Sequence, residues 1–119
     1  MREERRRFIR TTTRLLTFYK VPSTGQVRRA LTRDISGGGL SCVTETLLKP
    51  GTALEVEVKL PDRETPITFT VEVVWSKPVG GESTNPQNQT AETGMKIVKI
   101  NPKDQTLLVQ YATLHAPPS

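Results

Sequence analysis

The sequence predicts an all-β domain: a small six-stranded antiparallel β-barrel with one short C-terminal α-helix. Three observations carry that expectation. From Thr11 onward the chain is rich in Thr, Val, Leu and Ile and is broken at short intervals by Gly and Pro, the composition of strands joined by turns. Several segments alternate apolar and polar residues, the period of a strand with one buried face. Helical spacing replaces that period once, after Asn101.

The elements follow in order. Thr13–Lys20 reads as a first strand, closed by the turn signal Val21-Pro22-Ser23-Thr24-Gly25. Gln26–Thr32 is the second, and the glycine cluster Gly37-Gly38-Gly39 leads into the third, Leu40–Val43. After the turn Lys49-Pro50-Gly51-Thr52 the alternation is clean, with Leu54, Val56, Val58 and Leu60 on one face and Glu55, Glu57 and Lys59 on the other. Pro61-Asp62-Arg63-Glu64 turns the chain, and Ile67, Phe69, Val71, Val73 and Trp75 form the next inward row. Lys77–Glu92 is polar, carries Gly80-Gly81 and reads as a long loop before a last strand, Thr93–Ile100. Asn101 then offers an N-cap, Pro102 the first helical position and Asp104 a first-turn acid. Leu107, Leu108, Tyr111 and Leu114 recur at helical spacing, so a helix over about 102–115 packs one face on the barrel. The expected organisation is an Arg-rich arm, residues 1–10, followed by a single domain over 11–116.

Charge is concentrated at one end. The chain carries +5 overall, yet residues 1–33 hold ten basic and two acidic side chains and carry +8, whereas residues 34–119 carry −3. Nine of the ten early cations are arginines. This predicts one anion-binding corner rather than a basic coat.

Composition also excludes. One cysteine, Cys42, and one histidine, His115, leave no zinc spacing, no metal site and no nucleophile–base pair. An enzyme is therefore not expected. Cys42 reads as a small buried hydrophobe and His115 as a helix-end residue. No apolar run nears the roughly 20 residues that cross a bilayer. The N-terminal stretch MREERRRFIR lacks the apolar segment of a secretory signal. The expectation is a cytoplasmic protein with no membrane insertion.

Two segments carry binding chemistry. In Arg5-Arg6-Arg7-Phe8-Ile9-Arg10 the guanidinium groups suit phosphate oxygens and the O6/N7 edge of guanine. Phe8 and Ile9 can anchor the arm on the barrel. As a charge run alone, the segment equally suits a solvated tail. In Asp34-Ile35-Ser36-Gly37-Gly38-Gly39-Leu40 the carboxylate of Asp34 can accept from the N1–H and N2–H₂ edge of a guanine, and the Ser36 hydroxyl can donate or accept. The glycines let backbone N–H groups approach a ligand. The same residues also suit an ordinary Asx-type turn with a bulge.

Taken together, Arg6-x-x-x-Arg10 followed by Asp34-x-Ser36-x-x-Gly39 resembles the signature of the PilZ domain family, RxxxR and then DxSxxG. Arg5 directly before Arg6, and Thr93-Gly94-Met95-Lys96-Ile97 as a late glycine-containing strand, extend the resemblance over nearly the whole chain. The resemblance implies a split-barrel fold and a bacterial receptor for the second messenger cyclic di-GMP. It implies that Arg6 and Arg10 contact phosphates and guanine edges with Arg5 assisting, that Asp34 and Ser36 hold a guanine, and that Gly39 gives backbone room beside it. No cofactor is implied beyond that ligand. Trp75 ends a core-type strand and reads either as a core or rim aromatic or as a platform for a guanine base.

The expected activity is non-enzymatic: ligand orders the arm and alters a surface read by a downstream protein partner. Two alternatives stand beside it. A general single-stranded nucleic-acid binder would interleave aromatics with cations on its strand faces. Only Phe8, Phe18 and Tyr19 lie in the basic third, so no nucleic-acid polymer is expected as partner. A docking adaptor that does not bind ligand would not need both motifs intact.

Overall fold

The computed structural model describes residues 10–21, 23–79 and 90–115. The strands are β1 (Thr11–Thr12), β2 (Leu16–Lys20), β3 (Val27–Ile35), β4 (Gly39–Thr44), β5 (Ala53–Val58), β6 (Ile67–Pro78) and β7 (Ala91–Ile100), followed by the helix α1 (Pro102–His115). Strands β3, β2, β5, β6, β7 and β4 pair in that order, all antiparallel, and β4 pairs back onto β3. The six close into a barrel, which removes the open sheet edges that would otherwise recruit other chains. β1 is the extra strand, paired to the far end of β3.

Alternation decides what lies inside. Leu54, Val56 and Val58 from β5, and Ile67, Phe69, Val71 and Val73 from β6, are buried, together with Ile35, Leu40 and Met95. Each such side chain contributes about 1.5–3 kcal/mol when fully buried. α1 closes the cluster with Leu108 and Tyr111. Its start follows the sequence expectation: Asn101 Oδ1 accepts from Lys103 N at 2.7 Å, ahead of Pro102 in the first turn. Gly51, at φ 90°, turns the chain into β5 in a conformation that disfavours other residues.

The first expected strand, Thr13–Lys20, is broken in two. The Thr32 hydroxyl inserts into the ladder, donating to Thr13 O at 2.6 Å and accepting from Leu15 N at 2.8 Å. A side chain therefore replaces a stretch of backbone pairing, and β1 separates from β2. The loop expected over Lys77–Glu92 is also narrower at its ends. Lys77 pairs with Glu92, Pro78 with Ala91, and Val79 N donates to Thr90 O at 3.0 Å. Residues 80–89 lie outside the described residues.

Strict alternation fails where a strand carries one extra residue. β3 has one against β4, between Thr32 and Asp34, β6 has one against β7, between Val73 and Trp75, and β7 has one against β6, Val98, between the partners of Thr70 and Val71. A bulge of this kind leaves two consecutive residues on one face. Arg33 and Asp34 both face outward while Thr32 and Ile35 are buried, and Val74 and Trp75 face outward beside buried Val73. Trp75, expected in the inward row, is thus corrected to the outer wall, where it is 37% exposed.

Cys42 follows expectation as a buried residue. Burial pushes its thiol from 9.0 up to about 12, with the negative charge of Asp34 a lesser cause. The native thiol keeps a proton that the unfolded chain releases near pH 9, so this group's contribution to stability is full below about pH 9 and fades as pH rises toward about 12. Cys42→Ala is expected to flatten the alkaline limb of a stability-versus-pH curve. Native protein should resist alkylation until denaturant is added, and a thiol that reacts as fast as free cysteine would contradict this burial.

Candidate functional site

The bulges in β3 and β6 bring chemistry together. Asp34 on β3 pairs with Ser41 on β4, Ser41 with Gly94 on β7, and Gly94 with Trp75 on β6. These four residues form one rung across four strands of the outer wall. At one end Arg10 donates from Nη1 to Asp34 Oδ1, while Ser41 Oγ donates to Asp34 Oδ2 at 2.9 Å. The ion pair is open to solvent, with Arg10 52% and Asp34 29% exposed at the side chain. At the other end the indole of Trp75 lies against the backbone of Gly94. A Cβ at position 94 would fall 2.4 Å from the ring, so only glycine lets the ring lie this close. Lys77 Nζ sits 5.1 Å from the ring centroid, a cation–π contact.

The rung floors an open groove of about 440 Å³ bordered by Arg10, Asp34, Gly38, Gly39, Trp75 and Lys96. Arg33, on the outer face beside Asp34, pairs with Glu92 at 2.9 Å. A larger groove of about 490 Å³ lies elsewhere on the barrel, among Phe18, Lys20, Glu55 and Lys99, and gathers none of the motif residues. The early cations are therefore divided. Arg10 reaches the rung and Arg33 its border, whereas Lys20 pairs with Glu55 beside the other groove.

The glycine turn stands at the groove's rim. Ser36 is 4% exposed, and its hydroxyl accepts from Gly38 N at 3.1 Å and Gly39 N at 3.2 Å and donates to Gly39 O at 3.3 Å. This is turn-forming chemistry. In this conformation Ser36 shapes the rim and presents no free hydroxyl to a ligand. Gly39 has its own steric reason: a Cβ there would fall 2.5 Å from the carbonyl oxygen of Met95 on the neighbouring strand. The need for glycine at 39 comes from strand packing.

Of the expected site residues, Arg10, Asp34, Gly39 and Trp75 share one groove, with Ser36 beneath its rim. Arg5 and Arg6 lie outside the described residues. Sequence reasoning passed over Ser41 and Lys96 as groove residues. Ser41 had a signal: it is a polar side chain between the apolar Leu40 and Cys42, and it stands opposite Asp34 once the bulge is counted. Among the described residues no group of three His, Cys, Asp or Glu side chains could hold a metal. No helix among them is long and apolar enough to cross a membrane. What the groove offers is recognition: a carboxylate acceptor, a guanidinium fork, an ammonium group and an aromatic face.

The family model described as the PilZ domain matches residues 4–114. The chain belongs to the PilZ domain family. Solved structures agree in fold. The PilZ domain of YcgR from Escherichia coli, determined with c-di-GMP, is 17% identical with a TM-score of 0.70, covering 93% of this chain and 91% of that one. The inhibitor of motility MotI (DgrA) from Bacillus subtilis is 22% identical with a TM-score of 0.72, covering 92% of this chain and 50% of that one. MrkH in its c-di-GMP complex, from K. pneumonia, is 19% identical with a TM-score of 0.67 over 92% of this chain and 51% of that one. This PilZ chain thus spans about half the length of MotI and MrkH. No curated protein matches it in sequence. The split barrel of this PilZ domain, with its added strand and C-terminal helix, is the fold these structures share.

Proposed function

We propose that this PilZ domain is a non-enzymatic, cytoplasmic receptor for cyclic di-GMP in a bacterial signalling system. The observation that carries the reading is the rung itself, which sets Arg10, Asp34 and Trp75 along one groove. Family membership and the c-di-GMP-bound relatives support the choice of ligand. Asp34 accepts from the N1–H and N2–H₂ groups of a guanine, and Arg10 and Arg6, with Arg5 assisting, take phosphates and guanine edges. Trp75 stacks on a base. Ser36 and Gly39 give the rim its shape.

The free state holds two of these groups on each other. An exposed ion pair such as Arg10–Asp34 is worth only about 0–1 kcal/mol, so the ligand separates it cheaply. Arg10 then turns to the ligand's charge and Asp34 to its guanine. Ligand binding orders the N-terminal arm, residues 1–10, of which only Arg10 lies among the described residues, and changes the surface a downstream protein reads. A single-stranded nucleic-acid reading finds less support. Beside the outward cations of β3, Arg29 and Arg33, the neighbouring strand β2 sets a single aromatic, Phe18 opposite Arg29, rather than a row of stacking rings.

Trp75 is the chain's single tryptophan, so its fluorescence reports on the groove directly. Titration with cyclic di-GMP is expected to change the emission saturably, with a dissociation constant of about a micromolar or tighter. Trp75→Ala, followed by calorimetry, is expected to weaken binding about 5- to 150-fold, the range for losing one base–aromatic stack. Unchanged emission together with no heat at near-millimolar ligand would overturn the receptor reading.

A further inference from the structure

We infer that Gln105, on the C-terminal helix and outside the groove, is a positioning residue for the ligand: it fixes the orientation of the Gly37–Gly38 peptide at the groove's rim. The inference rests on the receptor reading above and adds to it a residue that neither motif contains.

Gln105 Nε2 donates to Gly37 O at 2.9 Å, across 68 residues of chain. The N–H of the same peptide unit belongs to Gly38 and donates to Ser36 Oγ at 3.1 Å. One peptide plane is therefore held at both ends, by a helix side chain at the carbonyl and by the turn serine at the amide. Both flanking residues are glycines, and neither has positive φ. A Gly-Gly peptide gains little orientation from side-chain sterics, so the hydrogen bonds must supply it.

The effect on the groove is electrostatic. The carbonyls of all three turn glycines are engaged: Gly37 O by Gln105, Gly38 O by Ile97 N at 2.9 Å, and Gly39 O by Ser36 N at 2.9 Å. Gly38 and Gly39 border the groove. An anionic ligand there meets a rim whose carbonyl dipoles are already directed to other donors. Without the Gln105 donor, the Gly37 carbonyl loses its partner and the plane is free to rotate, which also loosens the amide from Ser36. The amphipathic pattern of α1 holds the clue. Gln105 is three residues before buried Leu108, on the stripe that packs against the barrel, where an apolar residue would be the ordinary choice.

The test is calorimetric titration of the full chain with cyclic di-GMP, with amide exchange of Gly38 measured by NMR. Gln105→Met keeps the stem length and removes the donor. It is expected to bind about tenfold more weakly, the scale of one lost hydrogen bond, and to exchange the Gly38 amide faster in the free protein. Gln105→Lys restores an N–H donor and is expected to recover most of the affinity. Gln110→Lys places the same charge on the exposed side of the helix and is expected to change nothing. Wild-type affinity in Gln105→Met overturns the proposal and leaves the receptor reading standing. Equal weakening by Met and Lys, with equal loss of thermal stability, shows a merely structural role and also overturns it. If Gln105→Met does not fold, Gln105→Asn, one methylene short of the carbonyl, is judged by the same outcomes. A wild-type chain that gives no heat overturns the receptor reading and this proposal with it.

Discussion

Asp34→Ala is expected to weaken cyclic di-GMP binding by two orders of magnitude or more while leaving the barrel folded. Hydrogen bonds to a charged group contribute about 1.5–3 kcal/mol each, and the carboxylate is placed to accept two from one guanine edge. The cost to the fold is small because the ion pair with Arg10 is largely exposed. The loss that remains is the Ser41 hydroxyl, 8% exposed, deprived of its acceptor, at about 1 kcal/mol. Asp34→Asn separates charge from geometry. It nearly preserves shape but turns an NH₂ donor toward the donors of guanine, so it should bind almost as poorly as the alanine variant. Arg10→Ala is expected to lose affinity too, and a double-mutant cycle should show little coupling between the two in the free protein's stability. Calorimetry and thermal unfolding on the same samples decide the matter. Undiminished binding by Asp34→Ala would remove the carboxylate from the site.

The largest effect on stability is expected at Gly39. An alanine Cβ there meets the Met95 carbonyl oxygen at 2.5 Å. That atom is backbone within the β4–β7 ladder and cannot move without parting the strands. Overpacking of this kind costs about 1–3 kcal/mol, and the upper end is expected because the obstacle is main chain. Gly94→Ala makes the informative contrast. Its Cβ meets the Trp75 ring, at 2.4 Å, and a partly exposed indole can swing away. Gly39→Ala should therefore lower the urea midpoint strongly. Gly94→Ala should lower it less, yet shift the tryptophan emission and weaken ligand binding by displacing the platform. Equal midpoints for the two variants would refute the distinction between backbone and side-chain obstruction.

Much of this architecture was legible in the sequence because the core follows one rule. Leu54, Val56 and Val58 alternate with charged neighbours and so declare their face. Pro102 after Asn101 declares the helix start. Of the rule's three failures among the described residues, the two in β3 and β6 are where the site lies; the third, at Val98 on β7, is away from it. Trp75 continues an apparent inward row, and only the pairing of Val73 with Met95 and of Trp75 with Gly94 shows that Val74 is extra. A trace of this was present, since Val73-Val74-Trp75 puts three apolar residues in succession and alternation forbids that. Thr32-Arg33-Asp34-Ile35 carries a similar trace, two charged residues between two that are buried. Asp34 itself was found through its motif, whereas its neighbour Ser41 depends on register, and Gln105 on a contact between segments 68 residues apart. Chemical type can be read along the chain. Partnership across strands cannot, because it depends on which residues the bulges leave out of step.

The bulges in β3 and β6 also separate two design problems. Since Asp34 and Trp75 stand on the outside of the barrel, the interior carries no share of recognition, and inner side chains can be exchanged for others of equal volume without touching the ligand's contacts. Effects at well-separated sites add. Heat tolerance and ligand preference in this chain should accordingly be tunable one at a time, by repacking the inside for the first and editing the wall for the second. Gly94, packed on Trp75, is one exception, and the single residue of slack in β3 and in β6 is another. Remove it, and the residues beyond change sides, so that one deletion alters both properties together.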